Sequence, residues 1–334
     1  MWHEGELKLT QMMNAAVATD NGLELRQIAR PVPVAGQILV RVAAAGMNRA
    51  DLNAARGAGV ASKDSLGKPI GMEWAGEIVE IGEQVEGFKP GDLVMCTGSG
   101  GYAEFAVAVA GRALKLDRGF DLQRAATLPL ALMTAHDAVM SNGRLQKGDV
   151  VLVQGASSAV GLMALQIAKL KGAGIVAGTS TNAERRSKLS DFGATHTYDP
   201  TDSAWMGELM DASSNKGVDL TIDMVSGASV DSSMKVAAVR GRIINVGRLG
   251  GESATFDFDL HAAKRLQYIG VTFRTRTVAE VLEIVSRMKT DLWADVSAGK
   301  LRLPIDRQFS LSEAPSAHSY MAANKHFGKI VLIP

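Results

Sequence analysis

Residues 150–162 read Val150-Val-Leu-Val-Gln-Gly-Ala-Ser-Ser-Ala-Val-Gly-Leu162, and this stretch decides the fold. An apolar run typical of a buried strand is followed by small residues and then by the start of a helix. Such a turn brings a backbone and a helix N-terminus close to a pyrophosphate. Of the dinucleotide pattern G-x-G-x-x-G only Gly161 is kept, because Ala156 and Ser158 occupy the other positions. The pattern alone leaves a tight turn without a ligand as the alternative.

The residues around this turn alternate between apolar strands and helices. Continuous apolar strands of this kind are typical of a parallel sheet covered by helices on both faces. The sequence therefore predicts an α/β doubly wound domain whose first unit opens with the turn. Predicted strands are 150–154, 174–178, 218–223, 242–246 and 268–272, and predicted helices are 159–171, 183–192, 229–239 and 278–288.

The first part of the chain has a different character, with short β-rich segments separated by Pro and Gly turns. Many short strands with turn residues between them predict a β-barrel-like domain. These strands are predicted at 14–18, 37–44, 77–81, 93–96, 103–109 and 113–115. We expect a substrate domain over residues 1–130, a dinucleotide-binding domain over 131–285, and a return to the first domain over 286–334.

Composition excludes several classes of function. The 334 residues carry a net charge of +1 without a basic stripe, which disfavours nucleic acid and anionic membranes as partners. The single cysteine, Cys96, excludes a disulfide framework and any zinc site of several thiolates. Polar residues interrupt the longest apolar region, so we expect no membrane span. The first residues lack a signal-peptide pattern, and we expect a cytoplasmic protein.

The end of the second predicted strand indicates which dinucleotide binds. An NAD site usually places Asp or Glu there, whereas this chain has Thr179 and Ser180, followed by Arg185 and Arg186. Hydroxyl donors and a guanidinium suit a 2′-phosphate, and a carboxylate would repel it. The sequence therefore predicts NADPH as the cofactor, with a solvated helix face as the alternative for the two arginines. The residues expected to line the phosphates are Ser157, Ser158, Ala159, Val160, Gly161, Thr179, Ser180 and Arg185.

Several further motifs resemble those of the medium-chain dehydrogenase/reductase superfamily, and within it the zinc-independent quinone oxidoreductases related to zeta-crystallin. The resemblance covers nearly the whole chain and implies a GroES-like β-barrel domain with a Rossmann domain. The motifs that carry it are Ala45-Gly-Met-Asn-Arg-Ala-Asp51, Gly71-Met-Glu-Trp-Ala-Gly76, Lys89-Pro-Gly-Asp92, Gly101-Tyr-Ala-Glu104, Leu128-Pro129, Thr134-Ala135, Gly155 to Gly161, Gly193-Ala194, Val218-Asp219, Asp223-Met-Val225 and Gly328-Lys329.

The resemblance also implies that the catalytic metal of the zinc-dependent members is absent. Those members hold zinc with Cys, His and Cys, and the matching positions here are Asn48, Met72 and Leu130. An amide, a thioether and an alkyl chain do not form a zinc site. Without a Lewis acid, alcohol oxidation is disfavoured, but hydride transfer to a quinone or a conjugated enone remains feasible. We therefore expect an NADPH-dependent, metal-free oxidoreductase acting on such small molecules.

The resemblance suggests roles for further residues. Asn48 and Thr134 are the candidate catalytic residues, with hydrogen bonding within a turn as the alternative for Asn48. Val246, Gly247, Arg248 and Phe273 are expected near the nicotinamide, and Asn324 and Lys325 near the 2′-phosphate. Two family tyrosines, one of which protonates the product in enoyl reductases, are replaced by Asn53 and Gly59.

Two other functions remain open at this level. One is a reductase dedicated to a single α,β-unsaturated ketone or aldehyde, and the other is an NADPH-binding sensor or scaffold with little catalysis. The resemblance also implies a homodimer, with the strand near residues 268–274 as the pairing edge.

Overall fold

The computed structural model describes residues 11–55 and 66–334. The chain divides into unit 1, Met1–Pro129 with Ile305–Pro334, and unit 2, Leu130–Pro304. The elements are β1 (Met12–Thr19), β2 (Gly22–Ala29), β3 (Gln37–Gly46), α1 (Arg49–Ala55), β4 (Glu73–Ile81), β5 (Leu93–Thr97), β6 (Phe105–Val109), β7 (Ala113–Lys115), α2 (Leu122–Ala125), α3 (Pro129–His136), β8 (Val150–Gln154), α4 (Ala159–Leu170), β9 (Ile175–Thr179), α5 (Ala183–Ser187), β10 (His196–Tyr198), α6 (Trp205–Ala212), β11 (Val218–Asp223), α7 (Val230–Val236), β12 (Ala237–Asn245), α8 (Phe258–Lys264), β13 (Gln267–Gly270), α9 (Val278–Ser297), β14 (Ile305–Ser310), α10 (Ala314–Ala322) and β15 (Lys329–Ile333).

The predicted domain limits differ from these units at one point. The limit expected at residue 285 falls inside α9, whose apolar face buries Ile284, Met288 and Leu292. A helix with a continuous buried stripe belongs to one core along its whole length, so unit 2 extends to Pro304. Residues 1–10 and Gly59 lie outside the described residues.

Unit 1 is built on a β-sheet with the strand order β14-β15-β3-β4-β5-β7, and β6 pairs with β3. β15 lies antiparallel to β3, with Val331 opposite Gly46. Strand β15 therefore joins the same sheet as β3 and β4, which lie far from it in the sequence. Trp74, Ile38 and Ile78 are fully buried in its core.

The hairpin of β1 and β2 includes a strand that the sequence analysis missed. Residues 25–27 of β2 are solvent-exposed, and the strand carries Glu24 and Arg26. A strand with so few buried positions has a weak apolar signal, which is the physical reason that the pattern failed.

Unit 2 confirms the predicted α/β doubly wound fold. Within the described residues its sheet has six strands in the order β10-β9-β8-β11-β12-β13. All of its strand pairs are parallel. Two halves that diverge from a central pair of strands leave a crevice at their carboxyl ends, where ligands of such sheets bind. Helix α4, buried from Gly161 to Ala168, follows the first strand of this pair.

In the part of the chain that the structure describes, no helix combines the length and the apolar character that crossing a membrane requires.

Candidate functional site

The turn between β8 and α4 has the geometry expected of a diphosphate cradle. Gly155 adopts a φ of +71°. The Ser158 side chain caps α4 by accepting a hydrogen bond of 3.1 Å from the Gly161 N–H, and donates to the Gly155 carbonyl at 3.0 Å. A Cβ on Gly161 would lie 2.8 Å from the Ala156 Cα. The helix therefore packs against the turn so closely that this position requires glycine.

The same turn provides donors for an anion. Ala159 and Val160 are the first residues of α4. Backbone N–H groups of a first helical turn have no carbonyl partner within the helix, and the helix dipole favours negative charge there. Small side chains at Ala156 and Ser157 leave this backbone accessible. The turn thus fits the diphosphate of a dinucleotide.

At the end of β9, the hydroxyls of Thr179 and Ser180 have different surroundings, although the sequence predicts the same role for both. The Thr179 hydroxyl donates to Gln154 Oε1 at 2.7 Å and accepts from the Gly155 N–H at 3.1 Å, and the residue is 1% exposed. Its one proton is used inside the sheet, so Thr179 joins β9 to the turn and is not placed to donate to a phosphate. This corrects the expected role of its hydroxyl, because side-chain neighbours across strands are not visible in the sequence.

Ser180, by contrast, faces the phosphate turn. Its hydroxyl donates to Ser157 Oγ at 3.3 Å, which is long for an O–H donor, so this proton is held less firmly than that of Thr179. Ser157 accepts in that contact, so its own proton is not used there. The structure therefore brings together two predicted hydroxyls from segments 23 residues apart.

The two arginines of α5 have different surroundings. The Arg185 backbone N–H is capped by Asn182 Oδ1, and its side chain is half-buried. Arg186 Nη1 donates to the Ser180 carbonyl at 2.7 Å and to Asp199 Oδ2 at 3.0 Å. An ion pair partly neutralises Arg186. The role of Arg185 as a phosphate ligand stays a prediction from the sequence.

Asp199 is a residue that sequence reasoning missed. It directly follows β10, which pairs with β9, and so an acid comes close to the Ser180 strand end from a neighbouring strand. Hydrogen bonds from Thr201, aided by Arg186, hold the pKa of Asp199 below its ordinary value. The available signal is its position directly after a short strand, because an NAD-binding acid is usually expected at the end of the second strand instead.

The carboxyl ends of β11 and β12 form a closely hydrogen-bonded corner. The buried Asp223 carboxylate accepts from the Val225 and Ser226 N–H groups at 2.9 Å each and from the Ser229 hydroxyl at 2.8 Å. Burial raises the pKa of Asp223, and these donors oppose the rise. The carboxylate thus holds the loop after β11.

Val246 and Gly247 follow β12 at this corner, and their N–H groups both donate to the Asp223 carbonyl, at 2.9 and 3.1 Å. These two donors are therefore used within unit 2, and the expected place of both residues near the nicotinamide stays a prediction. A Cβ on Gly247 would lie 2.4 Å from the Met224 carbonyl, so close packing explains the glycine. Arg248 is exposed.

The helix that carries Thr134 and the loop that carries Phe273 are connected by an ion pair. Thr134 is half-buried on α3, which continues into a π-helical turn over Asp137–Asn142. Asp137 accepts from Arg276 Nη2 at 2.6 Å, and that guanidinium lies 5.5 Å from the centre of the Phe273 ring. Burial raises the pKa of Asp137, with Arg276 opposing the rise. This ion pair holds the Phe273 loop close to the end of the Thr134 helix.

In unit 1, Asn48 lies between two buried charges. Lys329 Nζ donates to Asn48 Oδ1 at 2.7 Å, and Asn48 Nδ2 donates to Glu73 Oε1 at 3.0 Å. Lys329 and Glu73 also form an ion pair, and their side chains are 2% and 0% exposed. The half-buried Asn48 amide therefore has both polar atoms engaged.

Asp51 and Tyr102 extend this group of polar residues. Asp51 Oδ2 accepts from the Tyr102 hydroxyl at 2.7 Å and from the Asn48 N–H at 2.8 Å. Burial raises the pKa of Asp51 to about 7, against the hydrogen bond from Tyr102. Burial also raises the pKa of Tyr102, which the neighbouring Asp51 reinforces. We call Asn48, Asp51, Glu73, Tyr102 and Lys329 the buried polar cluster.

Asn324 and Lys325, predicted near the 2′-phosphate, belong to unit 1 and are exposed, whereas Ser157, Ser180 and Arg185 belong to unit 2. Asn324 has a φ of +56°, and its side-chain oxygen accepts from Arg49. Within unit 1, then, Asn324 acts as a hydrogen-bond partner at the start of α1.

The residues at the positions that match the zinc ligands are Asn48, Met72 and Leu130. Asn48 Oδ1 already faces the ammonium of Lys329. Cys96 is buried, and burial raises the pKa of its thiol well above the ordinary range. Within residues 11–55 and 66–334, no three His, Cys, Asp or Glu side chains are grouped so that they could hold a metal ion.

Comparisons with known proteins agree with this architecture. The family model described as the alcohol dehydrogenase GroES-like domain matches residues 34–118, and the one described as zinc-binding dehydrogenase matches residues 159–287. These matches fall on the β-rich unit 1 and on the doubly wound unit 2.

Three proteins illustrate the similarity over more than nine-tenths of the chain. The quinone oxidoreductase of Rattus norvegicus is 29% identical over 306 residues, which is 91% of each chain. The mycocerosic acid synthase-like polyketide synthase of Mycobacterium tuberculosis is 30% identical over 311 residues, which is 93% of this chain and 15% of that protein. A mycobacterial protein solved in complex with NADPH has a TM-score of 0.83 and 25% identity, covering 96% of this chain and 100% of that one.

The matched domains, the quinone oxidoreductase relatives and the structural similarity to the NADPH complex lead to one assignment. The chain is an NADPH-binding oxidoreductase that belongs to the quinone oxidoreductase branch of the medium-chain dehydrogenase/reductase superfamily.

Proposed function

We propose that this enzyme reduces quinones or conjugated enones by direct hydride transfer from NADPH, without a metal. The observation that carries the proposal is the environment of Asn48. Where zinc-dependent members of the superfamily have a cysteine ligand, this chain has an amide whose oxygen accepts from the Lys329 ammonium at 2.7 Å. A buried ammonium repels a divalent cation, and an amide is a poor zinc ligand.

The acceptor must then be electrophilic without help from a Lewis acid. An alcohol needs a metal to favour loss of its proton, whereas a quinone or an enone delocalises the incoming charge through conjugation. The part of the protein is to orient the acceptor and to stabilise its carbonyl oxygen with hydrogen-bond donors. A small conjugated carbonyl compound is therefore the substrate class that suits this site.

The proposal assigns roles to a subset of the candidate residues. The turn at Ser157–Gly161 binds the diphosphate, Ser180 and Arg185 bind the 2′-phosphate, and the bound nicotinamide supplies the hydride. Asn48 Nδ2 donates to the carbonyl oxygen of the acceptor, and Thr134 contacts the nicotinamide. Asn53 is exposed on α1 and is not an acid, so the proton that completes the reduction comes from water or from another side chain.

A second candidate is a reductase dedicated to one α,β-unsaturated ketone or aldehyde. The similarity to a segment of a polyketide synthase favours this alternative. The two candidates differ in their products, because reduction of a carbon–carbon double bond gives a saturated carbonyl compound and reduction of a quinone gives a hydroquinone or a semiquinone.

The experiment begins with paired fluorescence titrations of NADPH and NADH. Arg185→Ala should weaken NADPH binding by about 1.5–3 kcal/mol, the value of a hydrogen bond to a charged group, and leave NADH binding unchanged. Arg287→Ala is the matched control, since Arg287 lies on an exposed face of α9 and pairs with Glu283. NADH binding as tight as that of NADPH would contradict the role of Arg185.

Turnover is then measured with 1,4-benzoquinone, 9,10-phenanthrenequinone and a simple enone, with and without a chelator. Quinone turnover that survives the chelator is the expected result. Turnover of the enone alone would select the second candidate, and loss of all turnover on chelation would contradict the metal-free mechanism.

We also propose a homodimer formed through β13, which is an edge strand of the unit 2 sheet. Exposed apolar residues on neighbouring segments support this edge, including Phe258, which is 76% exposed, and Val239, which is 57% exposed. Light scattering should give twice the chain mass of 35.3 kDa, and Ile269→Arg in β13 should give the monomer mass. A monomeric wild-type protein would contradict this proposal. The cytoplasmic location stays a prediction.

A further inference from the structure

Several motifs of the sequence have no part in cofactor binding, yet their polar residues meet at one point in unit 1. β3 ends at Gly46, directly opposite Glu73 at the start of β4. β15 begins at Lys329 and pairs with the same end of β3. Asn48 lies two residues after the end of β3. The ends of these three strands therefore place Glu73 and Lys329 beside Asn48.

Lys329 has its hydrogen-bonding capacity filled. Its ammonium donates to Asn48 Oδ1 at 2.7 Å, to the Met47 carbonyl at 3.3 Å and to Glu73 Oε1. An ammonium has three donors and no acceptor. It can therefore face only the oxygen of the Asn48 amide.

Glu73 imposes the complementary orientation. A carboxylate only accepts, so the 3.0 Å contact with Glu73 Oε1 requires the nitrogen of the amide. A flipped amide would place Nδ2 against the ammonium and Oδ1 against the carboxylate, and both contacts would be repulsive. The charges of Lys329 and Glu73 thus select one of the two amide orientations.

The selected orientation leaves one donor weakly engaged. The second hydrogen bond of Asn48 Nδ2 goes to the Gly46 carbonyl at 3.4 Å, which is long for an N–H donor. Strand β3 is packed directly on the ion pair, because a Cβ on Gly46 would lie 2.7 Å from Glu73 Oε1. The amide is thereby held rigidly with one N–H able to change partner.

We infer that Lys329 and Glu73 are positioning residues, whose buried ion pair holds the Asn48 amide with its N–H ready to donate to the acceptor carbonyl. This inference rests on the proposed role of Asn48 in the reaction. Lys329 and Glu73 touch neither cofactor nor acceptor in this scheme, and they act only through the amide.

The test compares the activity of Asn48→Ala with that of Lys329→Met/Glu73→Leu, which removes both charges at once. Asn48→Ala should lower kcat by roughly 10²-fold, the effect of removing one oxyanion donor. The double variant should lower kcat to the same extent, and adding Asn48→Ala to it should cause no further loss, since residues that act as a unit are not additive. NADPH affinity, measured by fluorescence titration, should not change in any of these variants.

Two further variants separate positioning from a merely structural role. Lys329→Gln/Glu73→Gln keeps a donor toward Asn48 Oδ1 and an acceptor toward Asn48 Nδ2 without charge, and it should keep kcat close to the wild-type value. Lys115→Met/Asp92→Asn removes an ion pair of the same unit that lies outside the buried polar cluster, and it should keep kcat as well.

The outcomes are distinguishable. Wild-type kcat in Asn48→Ala would contradict the proposed role of Asn48 itself. A loss in Asn48→Ala together with wild-type kcat in Lys329→Met/Glu73→Leu would overturn only the positioning inference. If Lys329→Met/Glu73→Leu does not fold, Lys329→Gln/Glu73→Gln provides the test. A kcat of this second variant as low as that of Asn48→Ala would also overturn the positioning inference.

Discussion

The proposed NADPH site of unit 2, formed by Gly155–Gly161, Ser180 and Arg185 and called the cofactor edge below, differs in chemistry from the buried polar cluster of unit 1. The cofactor edge uses backbone N–H groups and small hydroxyls at the ends of parallel strands, and its tightest positions are glycines. The buried polar cluster uses long charged side chains that are almost completely excluded from solvent. The comparison teaches that the first site is sensitive to added volume, and the second to a change of charge.

The largest effect is expected when one charge of the buried polar cluster is removed. Lys329→Met removes the ammonium that forms an ion pair with the buried Glu73 carboxylate, which should lower the free energy of unfolding by about 3–5 kcal/mol. Lys115→Met removes the partner of Asp92 at a site where the lysine side chain is 50% exposed, and should cost at most about 1 kcal/mol. Urea unfolding of both variants measures these two losses. Equal losses of the free energy of unfolding would contradict the difference between the buried and the exposed ion pair.

The second effect concerns pH. The pKa of Asp51 is raised to about 7 in the folded state, so the folded protein holds more protons than the unfolded chain between pH 4 and 7. The contribution of Asp51 is therefore fully present below pH 4, falls as the pH rises through 7, and changes by at most about 1.4 kcal/mol per pH unit.

Asp51→Asn should flatten this dependence, so that its stability relative to wild type improves from pH 5 to pH 8. Thermal unfolding midpoints at both pH values give the measurement. Parallel curves for the two proteins would show that Asp51 does not titrate in this window.

The third effect probes volume at the cofactor edge. Gly161→Val places side-chain atoms against Ala156, where even a Cβ has only 2.8 Å, and overpacking of this kind costs about 1–3 kcal/mol. NADPH binding should weaken with it, since the turn must move. Gly207→Ala in α6 is the control, because no atom lies within 4 Å of its Cβ position. That change should stabilise the helix by about 0.5–1 kcal/mol without altering NADPH binding.

The smallest expected effects distinguish the role of the Ser180 hydroxyl from that of the Thr179 hydroxyl. Ser180→Ala should weaken NADPH binding by about 1 kcal/mol and leave NADH binding unchanged. Thr179→Val should instead lower the free energy of unfolding by about 1 kcal/mol, because Gln154 and the Gly155 N–H lose their partner, and should keep the ratio of the two affinities. A change of that ratio in Thr179→Val would restore Thr179 as a phosphate ligand.

The pattern of apolar residues along the chain predicted many of the strands and helices. Strands β8 and β11 have the predicted bounds, since a fully buried parallel strand is a continuous apolar run. Helix α9 extends nine residues beyond the predicted end at residue 288, to Ser297, because its later turns are mostly polar and bury only Leu292 and Val296. Periodicity weakens where few positions face the core.

Composition, turn chemistry and apolar periodicity depend on residues close together in the chain. For that reason the sequence by itself determined the doubly wound sheet and the tight turn between β8 and α4, and it predicted NADPH as the cofactor. The residue types at Asn48 and Met72, which are poor zinc ligands, are also read directly from the sequence. Contacts between distant segments were decided only by the tertiary structure. The tertiary structure pairs Asp199 with Arg186 and places Lys329 beside Asn48, 281 residues away. It also engages the Thr179 hydroxyl and the Gly247 N–H in hydrogen bonds within unit 2. The physical reason is that strand pairing and burial choose hydrogen-bond partners in space, and a polar side chain alone does not specify whether its partner is a ligand or a neighbouring strand.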